Sequence, residues 1–227
     1  MSSSPKTLKP TSRKKTEVPL VRRRDRVATQ KSLIAAGEEL FSKHGFSGVT
    51  LDMVAAESGA NKAMVSYYFG SKEGLYDAVI EAIVCDVLTN VKENLLTSSD
   101  PVKNFRRYIA ALGHAFSERQ SFCAILMREY IEGSMQEREV PFRQVLQFYQ
   151  MTESFYKAGR KARLFRSFDI HQLHLSIVGP LVHFVLTQRL RDRALSRHAQ
   201  GLSDPTMSIF AKQLARLILD GVCVKET

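Results

Sequence analysis

Apolar residues recur at three- and four-residue steps along almost the whole chain and nowhere alternate as a strand requires. Val27, Leu33, Ile34, Gly37, Leu40, Phe41 and His44 mark one stripe of a first helix, which Gly45 ends. Thr50 is placed to cap a short second helix with Leu51, Val54 and Ala55 inside, ending at Ser58 and Gly59. Asn61 caps a third helix, Lys62 to Phe69. Val65, Tyr68 and Phe69 share one side of it, and Lys62, Ala63, Met64, Ser66 and Tyr67 the other. Ser71 opens a fourth helix reaching about Leu96, whose apolar positions from Val79 to Leu95 cover more than one face and predict burial. Further helices are predicted at about 101–118, 120–132, 141–161 and 170–190, with Asp100 and Asp169 as caps, and a last one opens at Asp204 and Pro205 and ends near Gly221. The pattern predicts an all-α fold of about nine helices.

Two short helices joined by a tight turn describe a helix-turn-helix, and Gly59 can take the positive φ that such a turn demands. In that arrangement the third helix enters the DNA major groove by its N-terminus, which brings Lys62, Ala63 and Met64 to base edges. They offer one cationic donor and two apolar groups suited to a thymine methyl. Thr50, Ser66 and the Tyr67 hydroxyl suit phosphate oxygens, and Asn61 joins them at the cap. Lys72, at the start of the fourth helix where free amides favour an anion, is expected on a phosphate as well.

Charge adds a second layer. The 227 residues carry a net charge of +10, unevenly spread. Residues 1–26 hold nine basic side chains against two acidic ones, while 27–80 hold four against six. The basic segment contains Ser2, Ser3, Ser4, Pro5, Pro10 and Pro19 and too few apolar residues to offset its ordering entropy, so residues 1–25 are expected to form a disordered arm. Arg22, Arg23, Arg24 and Arg26 would lie along phosphates and make affinity salt-dependent.

Several classes are set aside. A 44% apolar content excludes global disorder, and no apolar run is long enough for a bilayer span or a secretory signal, so a soluble, intracellular protein with no membrane partner is expected. Cys85, Cys123 and Cys223 have neither disulfide-framework nor zinc spacing. His171 and His174 lack a third ligand nearby, so no metal and no cofactor is expected. Phosphate-loop, GxSxG and HExxH motifs are missing, which argues against an enzyme.

From about Arg26 to Val84 the chain resembles the N-terminal domain of TetR-family transcriptional regulators. The resemblance rests on Ile34-Ala35-Ala36, Phe41, His44-Gly45-Phe46, Val49-Thr50-Leu51, Val54-Ala55, Ser58-Gly59, Asn61-Lys62, Tyr68-Phe69, Ser71-Lys72-Glu73 and Leu75. Ser66, Ala63 and Met64 stand where the family often has Tyr, Gly and Thr, so no operator sequence is carried over.

The resemblance implies a helix-turn-helix domain at 26–71 and an effector-binding and dimerisation domain at 72–227. It implies a cytoplasmic, nucleoid-associated homodimer that represses from a palindromic operator in double-stranded DNA and is released by a small-molecule effector. A DNA-binding protein of the same fold without an effector, acting as an activator or architecturally, is the alternative, and a helical enzyme a more distant one.

Aromatic, Met and His side chains suggest a pocket from Phe105, Tyr108, His114, Phe122, Met127, Phe148, Tyr149, Phe155, His174 and His183. The dimer interface is expected at Leu173, Ile177, Leu181 and Phe184 of one helix and Phe210, Leu214, Leu217 and Ile218 of the last. A strip of Ser176, Gly179, His183 and Thr187 permits close helix approach or empty space. Basic clusters at Arg160, Lys161, Arg163 and Arg166, and at Arg189, Arg191, Arg193 and Arg197, read as solvated faces or as the seat of an anionic effector.

Overall fold

The computed structural model describes residues 20–95, 98–132, 139–198 and 205–224, with the side chains of 20–25, 140–142 and 196–198 left aside. The described residues form ten helices: α1 (Leu20–His44), α2 (Leu51–Ser58), α3 (Lys62–Phe69), α4 (Lys72–Glu93), α5 (Pro101–Glu118), α6 (Gln120–Glu132), α7 (Glu139–Lys161), α8 (Ile170–Leu186), α9 (Gln188–His198) and α10 (Met207–Val222). Their starts follow from short polar side chains that accept otherwise unpaired amides. Met53 N donates to Thr50, Ala63 N to Asn61, Gly74 N to Ser71, Val102 N and Lys103 N to Asp100, and Gln172 N to Asp169.

Three expectations change. First, α1 begins at Leu20, so the arm boundary drawn at residue 25 falls inside a helix; residues 1–19 lie outside the described residues. Second, the helix expected at 170–190 divides at Thr187, giving ten helices where about nine were expected. Thr187 turns its hydroxyl back onto His183 O (2.7 Å), and Arg191 folds over the Phe184 ring, 3.7 Å from its centroid, with Nη1 2.8 Å from Thr187 Oγ1. These contacts satisfy the end of α8, and α9 departs at 61°. Third, α10 is capped by Thr206, with Ile209 N donating to its Oγ1, while Asp204 lies outside the described residues.

α4 is the central element. Leu75, Tyr76, Val79, Ile80, Ile83, Val84, Val87, Leu88 and Val91 are all buried, because α4 meets α1 and α3 on one side and α5, α6 and α7 on the other. α5 lies against α10, and α8 packs on α5, α6, α7 and α10. A single antiparallel bridge pairs Phe165 with Cys223 and ties the loop before α8 to the end of α10. Gly159 permits it: a Cβ there would fall 2.0 Å from the Phe165 ring. Among the described residues no single helix is long and apolar enough to cross a membrane.

Candidate DNA interface and ligand groove

The helix-turn-helix is built around one buried side chain on its last helix. Val65 is fully buried, which turns the opposite face of α3 outward. Lys62, Ala63, Met64, Ser66 and Tyr67 are all exposed, Tyr67 at 69%, and Thr50 and Asn61 are exposed beside them. The turn between the helices is made by Gly59 at φ 67°, whose amide closes back on Ala55 O and Ala56 O. Lys62 Nζ lies 2.8 Å from Asp52 Oδ2, an ion pair between the first turns of α3 and α2 with both groups in solvent. Such a pair is worth little to stability and leaves the lysine exchangeable for another anion. At the other end of α3 the Arg26 guanidinium lies 5.5 Å from the Tyr67 ring centroid and 5.9 Å from that of Tyr68. It brings α1's cationic N-terminal half to the exposed aromatic of α3. The side chains of Arg22, Arg23 and Arg24 lie outside the described ones.

Lys72 is placed differently from the expectation. Its ammonium donates to Phe46 O and Val49 O, both at 3.1 Å, and sits 4.3 Å from the Phe46 ring centroid. Two of its three N–H bonds are committed to the α1–α2 connection, because those carbonyls have no helical partner of their own. It fixes the loop that carries Thr50 and is half-buried against it.

Behind the helix-turn-helix, α6 makes a polar seam with α1 and α4. Arg128 donates through Nε to Ser42 O (3.2 Å) and through Nη2 to Lys43 O (2.6 Å), capping the C-terminal end of α1. The Tyr76 hydroxyl of α4 donates to the Glu129 carboxylate, which is 1% exposed, and Tyr76 also meets Phe41 and Phe46 edge-on. At the start of α6, Arg119 Nη2 joins Glu38 of α1 (3.2 Å) and Asp86 of α4 (2.8 Å), and Ser121 donates to Glu38.

The other side of α6 opens a groove of about 530 Å³ against α7 and α8. Leu126, Met127 and Tyr130 of α6, Val145, Leu146 and Tyr149 of α7, and His171, His174, Leu175, Val178, Gly179, Val182, His183 and Leu186 of α8 line it. Of the expected pocket residues, Met127, Tyr149, His174 and His183 are brought together here. The others are corrected. Phe105 and Tyr108 are fully buried beside Phe165 and Phe155, Phe122 and Phe148 stack with Phe116 in the core, Phe155 borders a separate surface cleft with Met151, and His114 points to solvent from α5. Their helical spacing is that of core, and nothing local distinguished core from cavity. The missed liners of α8 carry a readable signal, since His171, Leu175, Val178, Val182 and Leu186 fall three or four residues apart on the face that His174 marks.

His174 is the polar floor of the groove. It is 9% exposed, and its Nδ1 lies 2.9 Å from Thr152 Oγ1; Thr152 in turn lies 2.8 Å from the Tyr108 hydroxyl. Burial, and secondarily the charge of neighbouring His171, push the His174 pKa down to about 4, so the ring is neutral near pH 7. Among the described residues no group of three potential metal ligands gathers there or elsewhere.

The expected dimer residues divide. Leu173, Ile177 and Leu181 are at most 1% exposed, within the protomer's own core, because α8 packs on four other helices. Phe184 stacks on Phe210 at 4.3 Å, and Leu214 is buried. Ile218 is half-buried and Leu217 is 70% exposed, with Ile209 and Leu175 also outward. The outward apolar side chains of α10 are therefore Ile209 and Leu217, while Leu175 and Leu186, exposed on α8, line the groove.

Comparison with known proteins agrees with this geometry. The family model for bacterial regulatory proteins of the tetR family matches residues 33–79, from the C-terminal half of α1 through the first turns of α4. The chain is 26% identical over 164 residues to the HTH-type transcriptional repressor NicS of Pseudomonas putida, covering 71% of this chain and 77% of NicS. It is 40% identical over 107 residues to the transcriptional regulator RutR of Escherichia coli, covering 47% of this chain and 45% of RutR. A TetR-family transcription regulator from Marinobacter aquaeolei shares the fold with a TM-score of 0.69 at 17% identity, over 90% of this chain and 100% of that one. The fatty acid degradation regulator FadR from Bacillus halodurans does so with 0.68 at 13%, over 85% and 95%. An exposed face on α3, held by Val65 below and Gly59 before it, and these likenesses lead to one conclusion: the chain carries the DNA-binding domain of bacterial regulators of the tetR family at residues 33–79, and beyond it shares the fold of TetR-family regulators.

Proposed function

We propose that the protein is a cytoplasmic, homodimeric repressor that reads a palindromic operator with two α3 helices and is released when a small molecule enters the groove between α6, α7 and α8. The observation that carries this reading is the position of five consecutive residues. Leu126, Met127 and Tyr130 line the groove, while Arg128 and Glu129, among them in sequence, hold α1 and α4. A ligand that displaces α6 acts directly on the contacts that orient the DNA-binding helices. The effect on DNA equals the ligand's preference for the DNA-incompetent arrangement, and such couplings typically amount to about 1–3 kcal/mol.

Two copies meet through α8 and the outward face of α10, where Ile209 and Leu217 wait for cover. Recognition helices about one DNA turn apart, ~34 Å, then face one side of the duplex. The N-terminal basic residues add attraction without sequence preference. The apolar groove favours this reading over a regulator of the same fold without an effector.

Genomic footprinting recovers the operator, and titration of a labelled operator fragment tests the reading. Lys62→Ala is expected to weaken specific binding about tenfold or more, since a good side-chain-to-base pair is worth about 1–3 kcal/mol. Unchanged operator affinity would remove α3 from the DNA-reading role.

A further inference from the structure

The groove's lining contains a polar group with one free valence. His174 is nine-tenths buried, and its single protein hydrogen bond among the described residues runs through Nδ1 to Thr152, so Nε2 is the ring nitrogen left for a ligand. Thr152 is fully buried, also reaches Phe148 O (3.1 Å), and is held by Tyr108. The Tyr108–Thr152–His174 chain therefore fixes the ring from behind, as an anchor in a ligand site requires. Around this anchor the wall is Leu, Val, Met and Tyr; His171 and His183 stand at its exposed rim, and among the described liners there is no Asp, Glu, Lys or Arg.

We propose, resting on the effector reading above, that the groove selects an uncharged, largely apolar molecule bearing one hydrogen-bonding group, which docks on His174 Nε2. A charged ligand at the depth of His174 would lose its hydration with no opposite charge beside it, since His171 and His183 stand at the solvent-exposed rim, and that cost is far above that of one hydrogen bond. The neutral state of the ring agrees with this, because it offers no cation to a carboxylate. The basic clusters that suggested an anionic effector lie elsewhere: Arg160 donates to Phe165 O, and Arg191 is folded onto Phe184. A hydroxyl suits either ring tautomer, since it can donate to or accept from Nε2. Gly179 provides a steric control, because a side chain added there meets nothing within 4 Å and would project into the groove it lines.

Calorimetric titration of the full chain with 4-phenylphenol and with biphenyl-4-carboxylate, followed by operator titration of the probe-saturated protein, tests this. The phenol is expected to bind one per protomer and at least tenfold more tightly than the carboxylate. His174→Asn, whose amide can keep the Thr152 bond while Nε2 is lost, should weaken the phenol about five- to tenfold. Gly179→Leu should abolish binding, with circular dichroism checking that α8 keeps its helix with a Cβ placed before Pro180. A carboxylate that binds as well as the phenol, or a phenol indifferent to His174→Asn, overturns the proposal while leaving the effector reading intact if operator affinity still falls. Binding as expected with operator affinity unmoved upholds the ligand class and contradicts the effector reading. Binding of neither probe, with groove amides protected from hydrogen exchange as protein concentration rises, assigns the groove to a second copy and overturns the proposal.

Discussion

His174 shows how a single residue ties stability to the ligand site proposed for it. Unfolded, it takes up a proton near its ordinary pKa of 6.5; folded, only near about 4. Between those values the unfolded chain binds a proton that the native one does not, so this contribution is complete above about pH 6.5 and is lost as pH falls toward 4. Urea unfolding at a series of pH values should show wild type losing more stability across that window than His174→Asn; equal losses would mean that the ring is not kept neutral by its surroundings. Other buried groups behave as their sites require. The Cys123 thiol, pushed up to about 12 by burial, stays protonated and acts as a small apolar group in the core. At this scale the sequence was most readable where chemistry is local. Thr50, Asn61, Ser71, Asp100 and Asp169 cap the helices they precede, because capping needs only the next three residues. The hold of Lys72 on Phe46 O and Val49 O was not legible, because these partners come from a loop more than twenty residues earlier.

Elements depend on longer-range facts in proportion to how many neighbours they have. α2 and α3 are short, and their spacing alone gave both the buried Val54, Ala55 and Val65 and the exposed face of α3. Gly59 sets the angle between them at φ 67° with no atom near a prospective Cβ, so Gly59→Ala carries a conformational cost and no steric one. Thermal unfolding of that variant should reveal a loss of about 1–2 kcal/mol; a stability equal to wild type would mean that the turn adapts and does not fix the angle. α8 is the contrary case. It is apolar on several faces, and sequence could not decide which would be spent inside: Leu173, Ile177 and Leu181 went to the protomer's own core, whereas Leu175 and Gly179 stayed outward. Thr187 and Arg191 likewise ended α8 through side-chain contacts that helical periodicity does not register.

For the whole molecule, the decisive feature is that α6 belongs to two places. Its Arg128 and Glu129 hold the DNA-binding helices, and its Leu126, Met127 and Tyr130 form one wall of the groove. Sequence spacing marked α6 as a helix with boundaries at Gln120 and Glu132, but the seam it makes with α1 needed the fold to be seen. Net charge worked in a similar way: +10 pointed to nucleic acid, yet the 27–80 segment that carries the recognition helix holds more acidic than basic residues. Under the proposed dimeric reading, specificity comes from the shape and spacing of two α3 faces, with charge supplying attraction. Selection of binding sites from a random DNA pool by the full chain tests that account most directly. The expected product is an inverted repeat with half-site centres about one turn, ~34 Å, apart, enriched by wild type and lost with Lys62→Ala. Enrichment of a single asymmetric site, or of no sequence at all, would contradict it.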